Sequence, residues 1–138
     1  MKEGDLLQIP RRFADEMVAH ALEEEPNECC GLLAGREGQA ARLYRVTNSE
    51  RSPTRFFMEP QELYNAYKDI EENGWELLAI YHSHPRGKAY PSATDVELAS
   101  WPDAVNIVIS LLDRVRPEIR AFRIVDGQIA EAEMEIVG

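Results

Sequence analysis

The stretch Trp75 to Tyr81 (WELLAIY) constrains this chain most: it is apolar except for Glu76 and runs straight into His82-Ser83-His84-Pro85. An apolar run of this length without alternation is the pattern of a central strand buried on both faces. Such a strand needs strands beside it and helices over it. The flanking sequence supplies both. Arg11 to Glu25 carries Phe13, Ala14, Met17, Val18, Ala21 and Leu22 at amphipathic spacing, which predicts a helix ended by Pro26-Asn27. Cys29 to Ala34, stopped by Gly35, and Ala41 to Asn48 read as a hairpin turned at Gly38. Arg55 to Met58 is expected as a further strand. Pro60 sits where a second helix begins, with Leu63, Tyr64, Tyr67 and Ile70 as its buried stripe and Asn73-Gly74 as its end. Beyond the central strand, a short helix is expected from about Ser92 to Ser100 and an apolar strand over Val105 to Leu112. Ile119 to Val125 and Gln128 to Val137 flank Asp126-Gly127, a hairpin signal. In the last of these, Glu131, Glu133 and Glu135 alternate with Ala132, Met134 and Ile136, so one face is wet and acidic. The order predicts an α/β fold, a mixed sheet flanked by helices. With 138 residues and no repeat or linker, residues 1–138 read as a single domain.

Charge and composition narrow the function. Fifteen Lys and Arg against twenty-five Asp and Glu leave a net charge of -10, the wrong balance for neutralising phosphates. Nucleic acid and anionic membrane surfaces are therefore poor partners. No apolar run approaches the roughly 18 residues needed to span a bilayer; the longest, Ala104 to Leu112, is interrupted by Asn106. The N-terminal MKEGDLLQIPRR has acids at Glu3 and Asp5 and no apolar core, so it does not read as a signal peptide. The two cysteines are adjacent, Cys29 and Cys30, and form no disulfide framework. Together these features point to the cytoplasm.

The segment His82 to Asp95 (HSHPRGKAYPSATD) carries chemistry. Residues two apart in an extended chain project to the same side, so His82 and His84 can face one metal ion. Neutral imidazole is a favoured zinc ligand, and catalytic zinc takes three protein ligands and keeps one position for water. Asp95 is the third candidate, returned by the loop from Pro85 to Pro91. A second reading competes: Ser92-x-x-Asp95 has the form of a helix capping box, with Asp95 bound to backbone N–H groups rather than to a metal. The joint pattern favours a metal. Hydrolysing an amide at such a site also needs a base to take the water proton and return it to the leaving amine. Glu28 stands just before the apolar run from Cys29, where a carboxylate is partly desolvated, although as an isolated residue it also fits a surface turn.

Glu28 in PNECCGLLAG, followed by His-Ser-His, seven residues, Ser, two residues and Asp, resembles the signature of the JAMM (MPN-plus) metalloproteases, with no motif position missing. The resemblance covers nearly the whole chain. It implies a single MPN domain of cytidine-deaminase-like architecture, with one Zn2+ per chain. His82, His84 and Asp95 are then the zinc ligands, Glu28 the general acid/base, and Ser92 the hydroxyl that holds the water or steadies the oxyanion. Its size and the ECCGLLAG start are similar to the prokaryotic branch. The implied activity is that of an isopeptidase or peptidase cutting after the C-terminal Gly-Gly of a ubiquitin-like or sulfur-carrier β-grasp protein; pairing into a homodimer is a further implication. The short regions from Glu50 to Asn73 and from Arg86 to Tyr90 depart from the longer insertions of the eukaryotic deubiquitinases, so no chain-linkage selectivity carries over. Physically, Arg55 to Met58 is expected to border the groove and pair with an extended Gly-Gly tail, whose glycines suit a narrow channel.

Other chemistries fare worse. Cys29 and Cys30 lie in an apolar strand, where free Cys is usually a small buried hydrophobe rather than a nucleophile. A deaminase site would require Pro-Cys-x-x-Cys, which is absent. His20 reads as surface or packing. The alternative from another class is a non-catalytic MPN scaffold or interaction module, which usually lacks the ligand set.

Overall fold

The computed structural model describes residues 5–138; the signal-peptide reading rests partly on Glu3, which lies outside them. The elements are β1 (Leu7–Pro10), α1 (Arg11–Glu24), β2 (Cys30–Arg36), β3 (Gln39–Val46), α2 (Pro60–Glu72), β4 (Glu76–His84), α3 (Ala93–Leu98), β5 (Val105–Ser110), β6 (Glu118–Val125), β7 (Gln128–Glu131) and β8 (Met134–Val137). They form one eight-stranded mixed sheet in the order β7-β6-β5-β4-β2-β3-β1-β8. The expected central strand is β4, buried from Leu78 through His84. It pairs antiparallel with β2 and parallel with β5.

Local chemistry accounts for most elements. The β2–β3 and β6–β7 hairpins turn on Glu37-Gly38 and Asp126-Gly127, both residues of each pair at positive φ, the backbone of a type I′ turn. Pro60 opens α2, whose first N–H groups are capped by the Glu59 carboxylate. Two apolar layers sandwich the sheet. Met17 and Ala21 of α1 pack with Leu33, Tyr81, Ile107 and Ile109 on one face. Ala66 of α2 packs with Cys30, Leu32 and Ile80 on the other. Gly31 lies directly under Tyr81: a Cβ there would stand 2.2 Å from the ring, so only glycine lets the tyrosine lie flat against β2.

Four expectations need correction. Arg55 to Met58 is not a strand of the sheet; it makes one isolated bridge, Asn48 to Met58. Tyr64 is 60% exposed, and Ala66 takes its place in the buried stripe of α2. Residues 128–137 are two strands rather than one. Only β7 completes the hairpin, whereas β8 pairs parallel with β1 at the opposite end of the strand order. Just two residues separate β7 from β8, so the sheet must curl until its ends approach each other. β1 itself has no counterpart among the expected strands. Of the wet acidic face, Glu131, Glu133 and Glu135 are exposed as expected. Among the described residues, no helix is long and apolar enough to cross a membrane.

Candidate metal centre

The polar residues of the site gather at the C-terminal end of β4, on the face covered by α2. His82 and His84 project from that face by strand alternation. The β2–β4 register pairs Cys30 with His82, and continuing it sets Glu28 opposite His84 on the same face. Ser83 points the other way, and its hydroxyl accepts the Cys29 N–H at 2.8 Å, fastening the start of β2 to the middle of the His-Ser-His triplet. The crossover from β4 to β5 then returns Asp95. It is held by Ser110, whose hydroxyl donates to the Gly87 carbonyl at 2.5 Å, and by the edge-on contact of Tyr90 with Phe122.

Three ligand atoms converge here. The Asp95 carboxylate lies 3.0 Å from Nε2 of His82 and 3.0 Å from Nε2 of His84, and the two Nε2 atoms are 3.2 Å apart. His84 Nδ1 donates to the Lys88 carbonyl at 2.9 Å. A carbonyl only accepts, so Nδ1 carries the proton and neutral His84 presents a bare lone pair at Nε2. That lone pair faces a carboxylate and a second imidazole. A cation, or the proton of an Nε2–H tautomer of His82, is what lets these atoms stand this close. With no cation, burial works against protonating His84, but Asp95 and the Lys88 carbonyl outweigh it and raise the affinity of His84 for a proton. Burial likewise opposes ionisation of Asp95, and its bonds to His82 and His84 overcome this and hold the carboxyl far below the usual range. Two imidazoles and one carboxylate within 4.8 Å of each other fit the donor set of a divalent ion of the zinc type.

The capping-box reading of Ser92 and Asp95 holds, and the capped carboxylate also reaches both histidines. The Asp95 N–H donates to Ser92 Oγ at 3.1 Å and the Ser92 N–H donates to Asp95 Oδ2 at 2.8 Å, a complete capping box on α3. The same Oδ2 meets both histidines. The cap fixes the carboxylate in the orientation that the cluster uses, and the Ser92 hydroxyl hydrogen is left to donate elsewhere.

Glu28 is 2% exposed, and its Oε1 is buried with no hydrogen-bond partner. Burial pushes its carboxyl up to about 8; His84 opposes that rise and Asp95 adds to it. A buried, unmatched carboxyl titrating near neutrality is suited to accept and return a proton. By contrast, burial raises the thiols of Cys29 and Cys30 well above the ordinary range and so disfavours the nucleophilic thiolate.

An apolar groove of about 300 Å³ opens beside the cluster, lined by Phe56, Met58, Ile80, Leu98 and Trp101 together with His82 and Asp95. The segment 55–58 lines this groove without being a strand. Two features of the site were not read from the sequence. The Phe56 ring stacks on the His82 imidazole at 4.8 Å, and Asn48 is buried behind Glu28. Neither carries a local signal, because both meet the site through long-range contacts.

Residues 10–125 match the family described as prokaryotic homologs of the JAB domain. The chain is 41% identical over 134 residues to the CysO-cysteine peptidase of Mycobacterium tuberculosis, covering 96% of this chain and 92% of that protein. It is 42% identical over 126 residues to the probable TtuB-protein conjugate cleaving protease of Thermus thermophilus, covering 91% and 80%. Among solved structures, a protein of Desulfitobacterium hafniense superposes with a TM-score of 0.86 at 37% identity, over 95% of this chain and 92% of that one. A JAB1/MPN domain protein of Archaeoglobus fulgidus shares the fold, with a TM-score of 0.62 at 19% identity over 93% and 98%.

Proposed function

From the premise that this chain belongs to the family of prokaryotic homologs of the JAB domain and is a JAMM-type peptidase, we propose that it uses one zinc ion to cut after the C-terminal Gly-Gly of a ubiquitin-like or sulfur-carrier β-grasp protein. The observation that carries the zinc is the convergence of His82 Nε2, His84 Nε2 and one Asp95 oxygen, with the His84 Nδ1–H bond to the Lys88 carbonyl turning the His84 Nε2 into that cluster. The substrate class rests on the relatives, whose names place cysteine on one protein and protein conjugates on another. The proposal takes residues 1–138 as one catalytic domain working in the cytoplasm. A non-catalytic scaffold would leave a buried, unmatched Glu28 without a purpose.

His82, His84 and Asp95 would hold the ion through two imidazole nitrogens and a carboxylate oxygen. When bound, zinc polarises the scissile carbonyl and makes water a nucleophile near neutral pH. Glu28 takes the water proton at its carboxylate and delivers it to the leaving amine nitrogen. Ser92 Oγ accepts from the Asp95 N–H and keeps its own hydrogen for the carbonyl oxygen as negative charge builds there. The groove receives the tail. Phe57 turns its N–H to Asn48 and its C=O to Ser49. Alternation then turns the N–H and C=O of Phe56 and Met58 outward, where an extended tail can add as a strand.

The test is cleavage followed by intact mass, using β-grasp proteins that end in Gly-Gly and are extended by a linear peptide, by a single amino acid or by a lysine-linked peptide. A cut after Gly-Gly that a zinc chelator abolishes is expected, and the preferred extension identifies the conjugate. Zinc-loaded protein that cuts none of the three overturns the substrate class.

A further inference from the structure

Asn48 uses its whole side-chain amide to join two parts of the site. Its Nδ2 donates to the Glu28 carbonyl and to the Arg55 carbonyl, both at 3.1 Å. Its Oδ1 accepts the Glu50 N–H and the Phe57 N–H, both at 3.0 Å. The two donors face carbonyls and the acceptor faces N–H groups, so the amide is matched on every side while only 5% exposed. Around it, the Glu28 N–H donates to the Ser52 carbonyl at 2.8 Å, and the Ser49 N–H donates to the Phe57 carbonyl at 2.8 Å. Glu28 is therefore held through its own N–H and C=O by Ser52 and Asn48, in the stretch that leads into the groove wall. That segment also carries Phe56, which stacks on His82.

We propose that Asn48 is a positioning residue that couples the groove wall at 55–57 to Glu28, so that filling the groove and placing the proton-transfer carboxylate are one event. The physical reason lies in the poor local support of both parts. Glu28 precedes the first residue of β2, and the wall has one bridge to the rest of the fold. A single buried amide with four bonds therefore ties the two together. A polar group so fully matched in a buried place becomes costly when any one partner is removed. The inference rests on the function proposed above for its kinetic consequence, but not for its structural one.

The experiment compares the zinc-loaded full chain with its Asn48→Ala and Asn48→Asp variants, by amide hydrogen exchange and by cleavage kinetics. In Asn48→Ala, exchange at the Glu28, Glu50 and Phe57 amides is expected to rise together by about tenfold. The Leu78 to Tyr81 amides stay protected and zinc stays bound. Asn48→Asp keeps the acceptor oxygen but sets an oxygen against two carbonyls, so Glu28 is expected to loosen more than Phe57. In turnover, Asn48→Ala lowers kcat about tenfold, and this loss disappears when Glu28→Gln is already present, because Asn48 acts through that carboxylate. The proposal is overturned if Glu28 keeps its wild-type exchange while Glu50 and Phe57 lose theirs, or if the kcat losses simply add. If the wild-type chain cleaves no substrate, the proposed function fails, and the exchange pattern still decides this coupling.

Discussion

His20, which packs on β4 from α1, and His84, at the end of β4 itself, are buried imidazoles on opposite faces of the sheet, and they are in opposite conditions. His20 Nδ1 shares a hydrogen bond of 2.7 Å with the Tyr81 hydroxyl, a closed pair with each partner satisfied. Burial, with Arg45 helping and Glu23 and Glu16 opposing, lowers its proton affinity to about 4 and leaves it neutral. His84 donates from Nδ1 to the Lys88 carbonyl and turns Nε2 towards His82 Nε2 and the Asp95 carboxylate. Glu28, opposite it, has a buried oxygen with no partner at all. A matched buried polar pair contributes to a fold. Three ligand atoms converging beside a buried carboxyl oxygen without a partner mark where a ligand belongs.

The sharpest way to break this comparison is Asp95→Asn, which removes the anionic member of the cluster. It is expected to lose bound zinc and all measurable turnover together; metal analysis showing full occupancy would remove Asp95 from the ligand set. Next in size, Glu28→Gln should keep zinc and lower kcat by about two orders of magnitude or more, read by single-turnover cleavage. The metal-free protein sharpens this. The folded Glu28 carboxyl titrates near 8, above its ordinary value, so its contribution is present below pH 4.5 and is lost as pH rises through 8. Each unit in that window costs up to about 1.4 kcal/mol. Stripped Glu28→Gln should therefore be the more stable protein at pH 9 by chemical denaturation, and no worse at pH 5.

Ser92→Ala follows. As a donor to the developing oxyanion it should cost about two to three orders of magnitude in kcat. Lost capping alone would lower stability by about 1 kcal/mol and leave the rate nearly unchanged, because the Ser92 backbone N–H still holds Asp95 Oδ2. The smallest functional effect belongs to the other face. Tyr81→Phe leaves His20 Nδ1 unmatched and should cost about 1–3 kcal/mol of stability with kcat unchanged. Because the folded His20 is held below its ordinary value, the contribution of this residue is present above pH 6.5 and is lost as pH falls through 4. Altered turnover in Tyr81→Phe would show that the two faces are not separate.

Sequence periodicity revealed the elements that pair locally or bury a continuous face: α1, both hairpins, β4 and β5. It missed β1 and the separate β8, since a parallel pairing of four-residue strands from opposite ends of the chain has no short-range signature. It took Arg55 to Met58 for a strand because its residues are strand-like, whereas Asn48 rather than a ladder holds that segment. At the site, alternation put His82 and His84 on one face, but only together with Ser92 and Asp95 did they read as a metal-binding pattern. Ser92 and Asp95 carried two readings that the sequence could not separate, and the fold uses one geometry for both capping and convergence. Asn48 and Phe56 were invisible because a single Asn or Phe becomes informative only when the chain folds it against Glu28 or His82.

The most direct test of the account is to strip the protein with a chelator and titrate zinc back, following cleavage of a Gly-Gly-extended β-grasp protein by intact mass. Activity should be absent in the stripped chain and return in proportion to zinc until one ion per chain is bound. Cleavage that persists in fully stripped protein, or a chain that takes up one zinc and remains inert on every such substrate, would contradict it.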